Sequence, residues 1–251
     1  MTPRTFHAIL ALDMKNMFFD RMATGFLLVI PLGLYVFFGA FFGANASAES
    51  AARYYDSNTV GVAAITLLNV AFLNLGPTIA MARDGGFLRR LMLTPLTFAE
   101  LWLSSLVRTV AIFAISYAGL LAMGYLFLGQ LPHAGPLQIV VPALVGAFAM
   151  LSIGFLLGAV FDKPQMAFNG GMLLIQPMLL LSGVGFPRES FPGWALSIAD
   201  LLPLTYAVDA MRLGWENRYF TSAGLVPTVV LLAVGAASTL VAIRVFRRKL
   251  A

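Results

Sequence analysis

The chain has 251 residues, of which 60% are hydrophobic and only 11% are charged, whereas a soluble domain carries about 25% charged residues. This composition excludes a disordered chain, a coiled coil and an ordinary soluble enzyme, and it indicates an all-α polytopic membrane protein. The net charge of +5 does not indicate nucleic-acid binding, because the basic residues bracket apolar runs, and the absence of cysteine excludes cysteine-ligated metals.

The N-terminal residues 4–21 predict a helix that lies along the membrane. Their apolar residues recur at helical spacing and are interrupted by charged ones. We expect an amphipathic helix on the inner face of the membrane, and a frayed leader is the alternative. A signal peptide is not indicated, because about 20 mixed residues precede the first long apolar run.

Six apolar runs follow, each long enough to cross the membrane, since about 30 Å of hydrocarbon requires about 20 residues. With six spans, both termini lie on the same side. Cytoplasmic termini place 12 of the 16 lysine and arginine residues inside, as the positive-inside rule requires. We therefore predict one membrane domain over 1–251, with spans at 23–44, 59–82, 104–128, 137–161, 166–186 and 225–243.

The stretch between the fifth and sixth spans is broken by prolines. Its pieces at 194–202 and 204–215 are too short to cross, which is typical of interfacial or re-entrant helices. Trp194, Trp215 and Tyr219 are residue types that favour the lipid headgroup zone. We expect short extracellular re-entrant helices here.

The spans contain no groups for intramembrane catalysis. None of them has Asp, Glu, Lys or His well inside it, which argues against an intramembrane enzyme and weakens a proton-coupled carrier. The sequence also has no Gly-x-x-x-x-Gly-Lys-Ser/Thr loop for nucleotide phosphates. If the chain is a pump, its energy arrives from another protein.

Residues 82–100 form the largest polar segment predicted on the inside, apart from the termini. Pro95 ends a short helical pattern in which Arg89 and Arg90 interrupt an apolar face. One interpretation is a helix whose apolar face inserts into a groove of a soluble partner. The other is a connector that rests on lipid. The apolar positions are Phe87, Leu88, Leu91 and Met92.

Two stretches of the chain resemble a known family. Asp-Gly-Gly at 84–86, followed by Arg-Leu at 90–91 and Leu-Thr-Pro-Leu at 93–96, is similar to the cytoplasmic signature of bacterial ATP-binding-cassette permeases of the second type. The stretch 181–212 is similar to that family's segment after the fifth helix. The six spans and the leading amphipathic helix match as well. The chain departs from the family at Asp84, where glutamate is usual, and at Gly86, where threonine is usual.

The resemblance implies a half-transporter in the bacterial cytoplasmic (inner) membrane. Two such permeases would pair, as a homodimer or with a paralogue, and separate ATPase subunits would bind ATP and Mg²⁺, so that this chain holds no cofactor. Hydrophobic or amphipathic cargo (drugs, natural products, lipids or lipid-linked glycans) would move outward. An ATP-independent carrier or scaffold is the alternative. The coupling residues implied are Asp84, Gly85, Gly86, Phe87, Arg89, Arg90, Leu91, Thr94, Pro95 and Leu96.

Four amides inside the predicted spans are candidates for the substrate path. Asn69 and Asn74 lie in the second span, and Asn169 and Gln176 lie in the fifth. Amides in hydrocarbon commonly hydrogen-bond a neighbouring helix, so interhelical pairing is the competing interpretation.

Overall fold

The computed structural model of the chain describes residues 21–41, 48–85, 98–128, 132–184, 188 and 191–250. All regular structure among these residues is helical, which confirms the all-α prediction. Residues 4–20 of the predicted interfacial helix and residues 86–97 of the predicted coupling segment lie outside the described part of the chain.

Each predicted span contains a helix, but several helices extend beyond the predicted bounds: that of the second span begins at Ala48 and not at 59, and that of the sixth ends at Leu250 and not at 243. In chain order they are α1 (Arg21–Gly39), α2 (Ala48–Leu68), α3 (Gly76–Asp84), α4 (Phe98–Leu128), α5 (Pro136–Val160), α6 (Pro164–Leu181), α7 (Gly193–Ala199), α8 (Pro203–Trp215) and α9 (Leu225–Leu250). A π-helical segment, Asn69–Leu75, joins α2 to α3. Because the flanking residues Leu68 and Gly76 keep right-handed helical backbone angles, α2, the π segment and α3 form one continuous rod.

Four stretches of the described residues are long and apolar enough to cross a membrane. They are Asn58–Asp84, Trp102–Phe127, Pro136–Val160 and Ser222–Phe246, and they coincide with the second, third, fourth and sixth predicted spans. The helices α1 and α6 coincide with the first and fifth. These two helices are shorter, with 19 residues in α1 and 18 in α6. The six-span layout stays a prediction.

The helix α5 lies at the centre of the fold. Its residues are apolar on all sides, which is typical of a helix that other helices surround. It packs against α3, the π segment, α8 and α9, while α1 packs on α2 and α4. Small residues such as Gly146, Ala147 and Gly154 let the neighbouring backbones approach closely.

Polar contacts with distant parts of the chain occur at both ends of α5. Arg83, Asp162 and Lys249 meet at its C-terminal end, whereas the side chain of Gln138 accepts a hydrogen bond from the backbone N–H of Tyr219 (3.1 Å) near its N-terminal end. The first three residues are predicted inside, and Tyr219 is predicted outside. These two groups of residues therefore lie at opposite ends of the bundle, and which end faces the cytoplasm stays a prediction.

The short helices α7 and α8 occupy the stretch where re-entrant pieces are predicted. Trp194 is 67% exposed, as expected of a headgroup residue. Trp215 and Tyr219 are buried instead, and the ring of Trp215 lies 5.2 Å from that of Tyr55 on α2. These two aromatic rings fill the contacts of α8 with the bundle, because an aromatic side chain contributes more stabilisation when it is fully covered.

Candidate functional site

The last turn of α3 carries an arginine that binds the end of α5. Nη1 of Arg83 donates to the carbonyl oxygen of Ala159 (2.6 Å), and Nη2 donates to the carbonyl oxygen of Phe161 and to Oδ1 of Asp162 (2.9 Å). The side chain is only 10% exposed. The last carbonyls of a helix lack partners within the helix, so a guanidinium both satisfies them and complements the negative end of the helix dipole.

A second cation reaches the same turn from α9. Nζ of Lys249 donates to the carbonyl oxygen of Val160 and to Oδ1 of Asp162 (2.8 Å). The hydrogen bond and positive charge of Lys249, with a smaller effect of Arg83, hold the pKa of the Asp162 carboxyl below its ordinary value. We call Arg83, Asp162 and Lys249, together with the carbonyls of residues 159–161, the Arg83 clamp.

The predicted coupling segment begins immediately after Arg83. Asp84 and Gly85 are exposed, and the backbone N–H of Gly85 donates to the carbonyl oxygen of Met81 (3.0 Å), which closes α3. The other coupling residues, Gly86 to Leu96, lie outside the described residues. The resemblance did not include Arg83. A basic residue in a last helical turn indicates a cap for its own helix, whereas this guanidinium binds the end of α5, which the sequence does not indicate.

Two of the four predicted path residues lie in the π segment. Asn69 begins the segment and Asn74 is its sixth residue, and both are half-buried. Oδ1 of Asn74 is buried and has no hydrogen-bond partner among the residues that the structure describes. Single π turns inside α-helices occur frequently at functional sites. In this part of the rod, the hydrogen-bond pattern of the α-helix is therefore replaced by that of a π-helix.

The other two predicted path residues lie on α6. Asn169 and Gln176 are exposed, and Oδ1 of Asn169 accepts a hydrogen bond from Nε2 of Gln165 on the same helix (3.2 Å). The structure thus separates the four amides into a half-buried pair on the rod and an exposed pair on α6.

Glycines of α5 and α6 contact the π segment directly. A Cβ atom on Gly154 would overlap the carbonyl of Ala71, and one on Gly171 would lie 2.8 Å from the carbonyl oxygen of Phe72. A Cβ on Gly158 would lie 2.7 Å from the carbonyl oxygen of Gly76. Both neighbouring helices therefore touch the rod through backbone atoms, a packing that only glycine permits.

A cavity of about 500 Å³ lies between α1 and α2, near the C-terminal end of α6. Its wall is apolar, with the amide of Asn58 as its polar side chain, and a hydrogen bond between Tyr35 and Thr59 (2.8 Å) ties α1 to α2 beside it. Ligand pockets typically have volumes of about 300–1,000 Å³ and mostly apolar walls. The lining residues are Pro31, Leu34, Phe38, Asn58, Gly61, Val62, Ile65 and Val184, and none of the four predicted amides is among them.

The segment after α6 is held to α7 and α8 by two arginines. Arg188 pairs with Asp200 (2.5 Å) and with Asp209 (3.1 Å). Nη2 of Arg212 donates to the carbonyl oxygen of Gly183 (2.6 Å), whose φ of 79° is in the left-handed region that favours glycine. Burial raises the pKa of the Asp209 carboxyl above its ordinary value, against the opposing charges of Arg188 and Arg212.

Comparison with known proteins decides the family. The sequence matches the family described as ABC-2 type transporter over residues 4–214, which is most of the chain. The chain belongs to this family. The match confirms the resemblance found in the two motif stretches, and it includes α1 to α8.

Two relatives of the ABC-2 chain are named as drug permeases. A probable multidrug ABC transporter permease, YbhR, from Escherichia coli K12 is 27% identical over 155 residues, which are 61% of this chain and 39% of that protein. The daunorubicin resistance ABC transporter permease protein DrrB1 from Streptomyces coeruleorubidus is 28% identical over 231 residues, which are 89% of this chain and 79% of that protein. The chain thus matches about two fifths of the first relative's length and about four fifths of the second's.

Proposed function

We propose that the chain is the transmembrane subunit of an ATP-driven exporter, which moves a hydrophobic or amphipathic substrate outward across the bacterial cytoplasmic membrane. The observation that carries this proposal is the family match over residues 4–214 in a sequence without a phosphate-binding loop. Such a subunit takes its energy from a partner ATPase that binds ATP and Mg²⁺. The names of the two relatives support a drug-like cargo.

The proposed arrangement is a single domain over 1–251 with six spans, both termini in the cytoplasm and a second permease subunit, either a copy or a paralogue. The exposed amides of Asn169 and Gln176 on α6 support the second subunit. A polar group in hydrocarbon costs free energy unless it is hydrogen-bonded, so this face of α6 is expected to meet protein or water and not lipid tails.

The proposed cargo path runs along α1, α2 and α6. The apolar cavity between α1 and α2 supports it, because an apolar wall with one amide suits a flat or amphipathic molecule. Gly61 of α2 lies against Val184, just after α6, with 3.6 Å between a Cβ built on the glycine and the valine side chain. The cavity therefore adjoins the helix that carries the exposed amides.

The proposed coupling helix, around 85–96, docks in a cleft of the ATPase. The test is co-purification of the chain with the ATPase encoded beside it. The double variant Arg90→Glu with Leu91→Asp is expected to lose the ATPase. One new carboxylate replaces the arginine proposed at the rim of the cleft, and the other replaces an apolar contact and would be buried without a partner. The matched control is Arg218→Glu with Leu201→Asp, whose side chains are exposed at the opposite end. Full retention of the ATPase by the first variant would refute the docking role.

The transport function is tested in inverted membrane vesicles that contain the chain and its ATPase. We expect uptake of daunorubicin, or of another amphipathic drug, that requires hydrolysable ATP and stops with a non-hydrolysable analogue. Uptake that continues without ATP would indicate the rival function, an ATP-independent carrier. Absence of uptake for every drug class, together with no bound ATPase, would indicate a membrane scaffold.

A further inference from the structure

We propose that Arg83 is the positioning residue that transmits the movement of the coupling segment to α5, α6 and α9. This inference rests on the proposed function and assigns the force-bearing contact within it. The clamp joins three helices of the bundle at one point: α3 through Arg83, α5 through its last residues and the α5–α6 turn at 159–162, and α9 through Lys249.

The position of Arg83 in the chain makes it the first rigid contact above the coupling segment. Only Asp84 and Gly85 separate it from residue 86, and both are exposed. Its own side chain is nine-tenths buried and makes three hydrogen bonds to one turn. A displacement of the coupling segment therefore either breaks these bonds or moves the α5–α6 turn with it.

Directional bonds matter here because the buried residues of α3, Gly76, Ile79 and Ala80, have no polar side chain. α3 packs on α5 and α6, and the close approach of Gly158 to Gly76 brings two backbones together without a side chain between them. Such surfaces resist separation but permit sliding. A guanidinium presents its donors in a rigid planar fork, and hydrogen bonds of a charged donor are stronger than neutral ones. Arg83 therefore fixes the position of α3 along α5.

The π segment completes this mechanical unit. α3 has nine residues, with the interrupted ladder of Asn69–Leu75 at one end and the clamp at the other. A displacement of the coupling segment therefore moves α3 as a short rigid helix. The end of α3 that carries Arg83 moves the α5–α6 turn, and the other end adjoins the π segment. The movement thereby reaches α6, on which the proposed cargo path lies.

The competing role is a helix cap that only stabilises α5. Thr239 provides the control, because its Oγ1 donates to Oγ of Ser152 (3.2 Å), which joins α9 to α5 outside the Arg83 clamp. Thr239→Val removes this bond to α5 without touching the link to α3. Arg83→Gln removes the positive charge and the planar set of guanidinium donors, and Arg83→Lys keeps the charge but not the planar donors.

The experiment uses the chain with its ATPase in proteoliposomes, and it measures drug transported per ATP hydrolysed for equal amounts of folded complex. We expect Arg83→Gln to lower this ratio by at least about fivefold, the lower range of typical coupling between sites, while ATP hydrolysis continues. Arg83→Lys is expected to fall between, and Thr239→Val to keep the ratio of the unaltered chain. An unchanged ratio in Arg83→Gln, or equal losses in Arg83→Gln and Thr239→Val, would overturn the proposal.

A second measurement does not depend on transport. Because the sequence has no cysteine, spin labels can be placed on an Asp84→Cys, Lys163→Cys pair without other changes. We expect a narrow distance distribution that keeps its mean when a non-hydrolysable ATP analogue is added, and a broad one in the Arg83→Gln background. Equal distributions in both backgrounds would overturn the clamp as a mechanical link, even if the chain proved not to be ATP-driven. Failure of ATP-driven uptake in the unaltered chain would refute the proposed function alone.

Discussion

The close packing of α5 and α6 on the π segment predicts that alanine at Gly154 or Gly171 destabilises the bundle. An added Cβ overlaps the carbonyl of Ala71 in the first case and lies 2.8 Å from the carbonyl oxygen of Phe72 in the second. Real Cβ atoms do not approach so closely, and a backbone carbonyl in a helix cannot rotate away as a flexible side chain can. The helices must therefore separate or shift.

Two opposing contributions determine the magnitude. Overpacking of a well-packed core costs about 1–3 kcal/mol, whereas alanine gains roughly 0.5–1 kcal/mol over glycine in the middle of a helix. We expect a net loss of roughly 1–2 kcal/mol for Gly154→Ala, the more severe overlap. Gly33→Ala is the control, because a Cβ at this position of α1 meets no atom within 4 Å. Only the favourable contribution remains there, so Gly33→Ala is expected to be neutral or stabilising.

The assay is reversible unfolding of the purified chain in mixed micelles by added denaturing detergent, followed by circular dichroism. Gly154→Ala and Gly171→Ala should unfold at lower detergent fractions than the unaltered chain, and Gly33→Ala should not. If Gly154→Ala were as stable as Gly33→Ala, the rod would not lie against α5 through backbone atoms, and the mechanical unit of α3 and the π segment would lose its support.

The carboxyl groups and the cavity give three further predictions. Burial raises the folded-state pKa of Asp209, so ionisation of its carboxyl destabilises the fold. Asp209→Asn should therefore be more stable than the unaltered chain at neutral pH and equally stable in acid, as measured by unfolding at a series of pH values. Since the folded-state pKa of Asp162 is lowered, its contribution is complete above about pH 4 and is lost as the pH falls further, so Asp162→Asn should lose stability at neutral pH and show no difference at the acid limit. Ile65→Trp, which fills part of the cavity, should lower uptake of large drugs while leaving ATP hydrolysis and unfolding unchanged, and reduced uptake of small and large drugs alike would contradict the proposed path.

The sequence by itself determined the class of the protein and the places of its helices. Long apolar runs predict membrane helices because each backbone polar group in hydrocarbon must bond within its own helix, which makes the length and composition of a run sufficient. The second, third, fourth and sixth predicted spans are found as long apolar helices, and α7 and α8 occupy the two short pieces between prolines. The motif residues at 84–96 and 181–212 were also sufficient to indicate the family.

Contacts between distant residues were decided only by the tertiary structure. Arg83 and Asp162 are 79 residues apart, and Lys249 is a further 87 residues along the chain, so no periodicity or spacing connects them. The same holds for the pairing of Arg188 with Asp209 and for the glycines that lie against the carbonyls of Ala71 and Phe72.

The physical reason is that membrane insertion is a property of a single segment, whereas a contact between side chains depends on how several helices pack. Whether a segment enters the membrane depends on its own transfer free energy, which adds up along the chain. Which carbonyl a guanidinium reaches, and which glycine meets a π segment, depends on the packing of helices whose apolar faces are nearly alike in sequence. Asn74 illustrates the limit: its place in a span follows from the sequence, while the π turn around it and the glycines of α5 and α6 that lie against that turn are seen only in the tertiary structure.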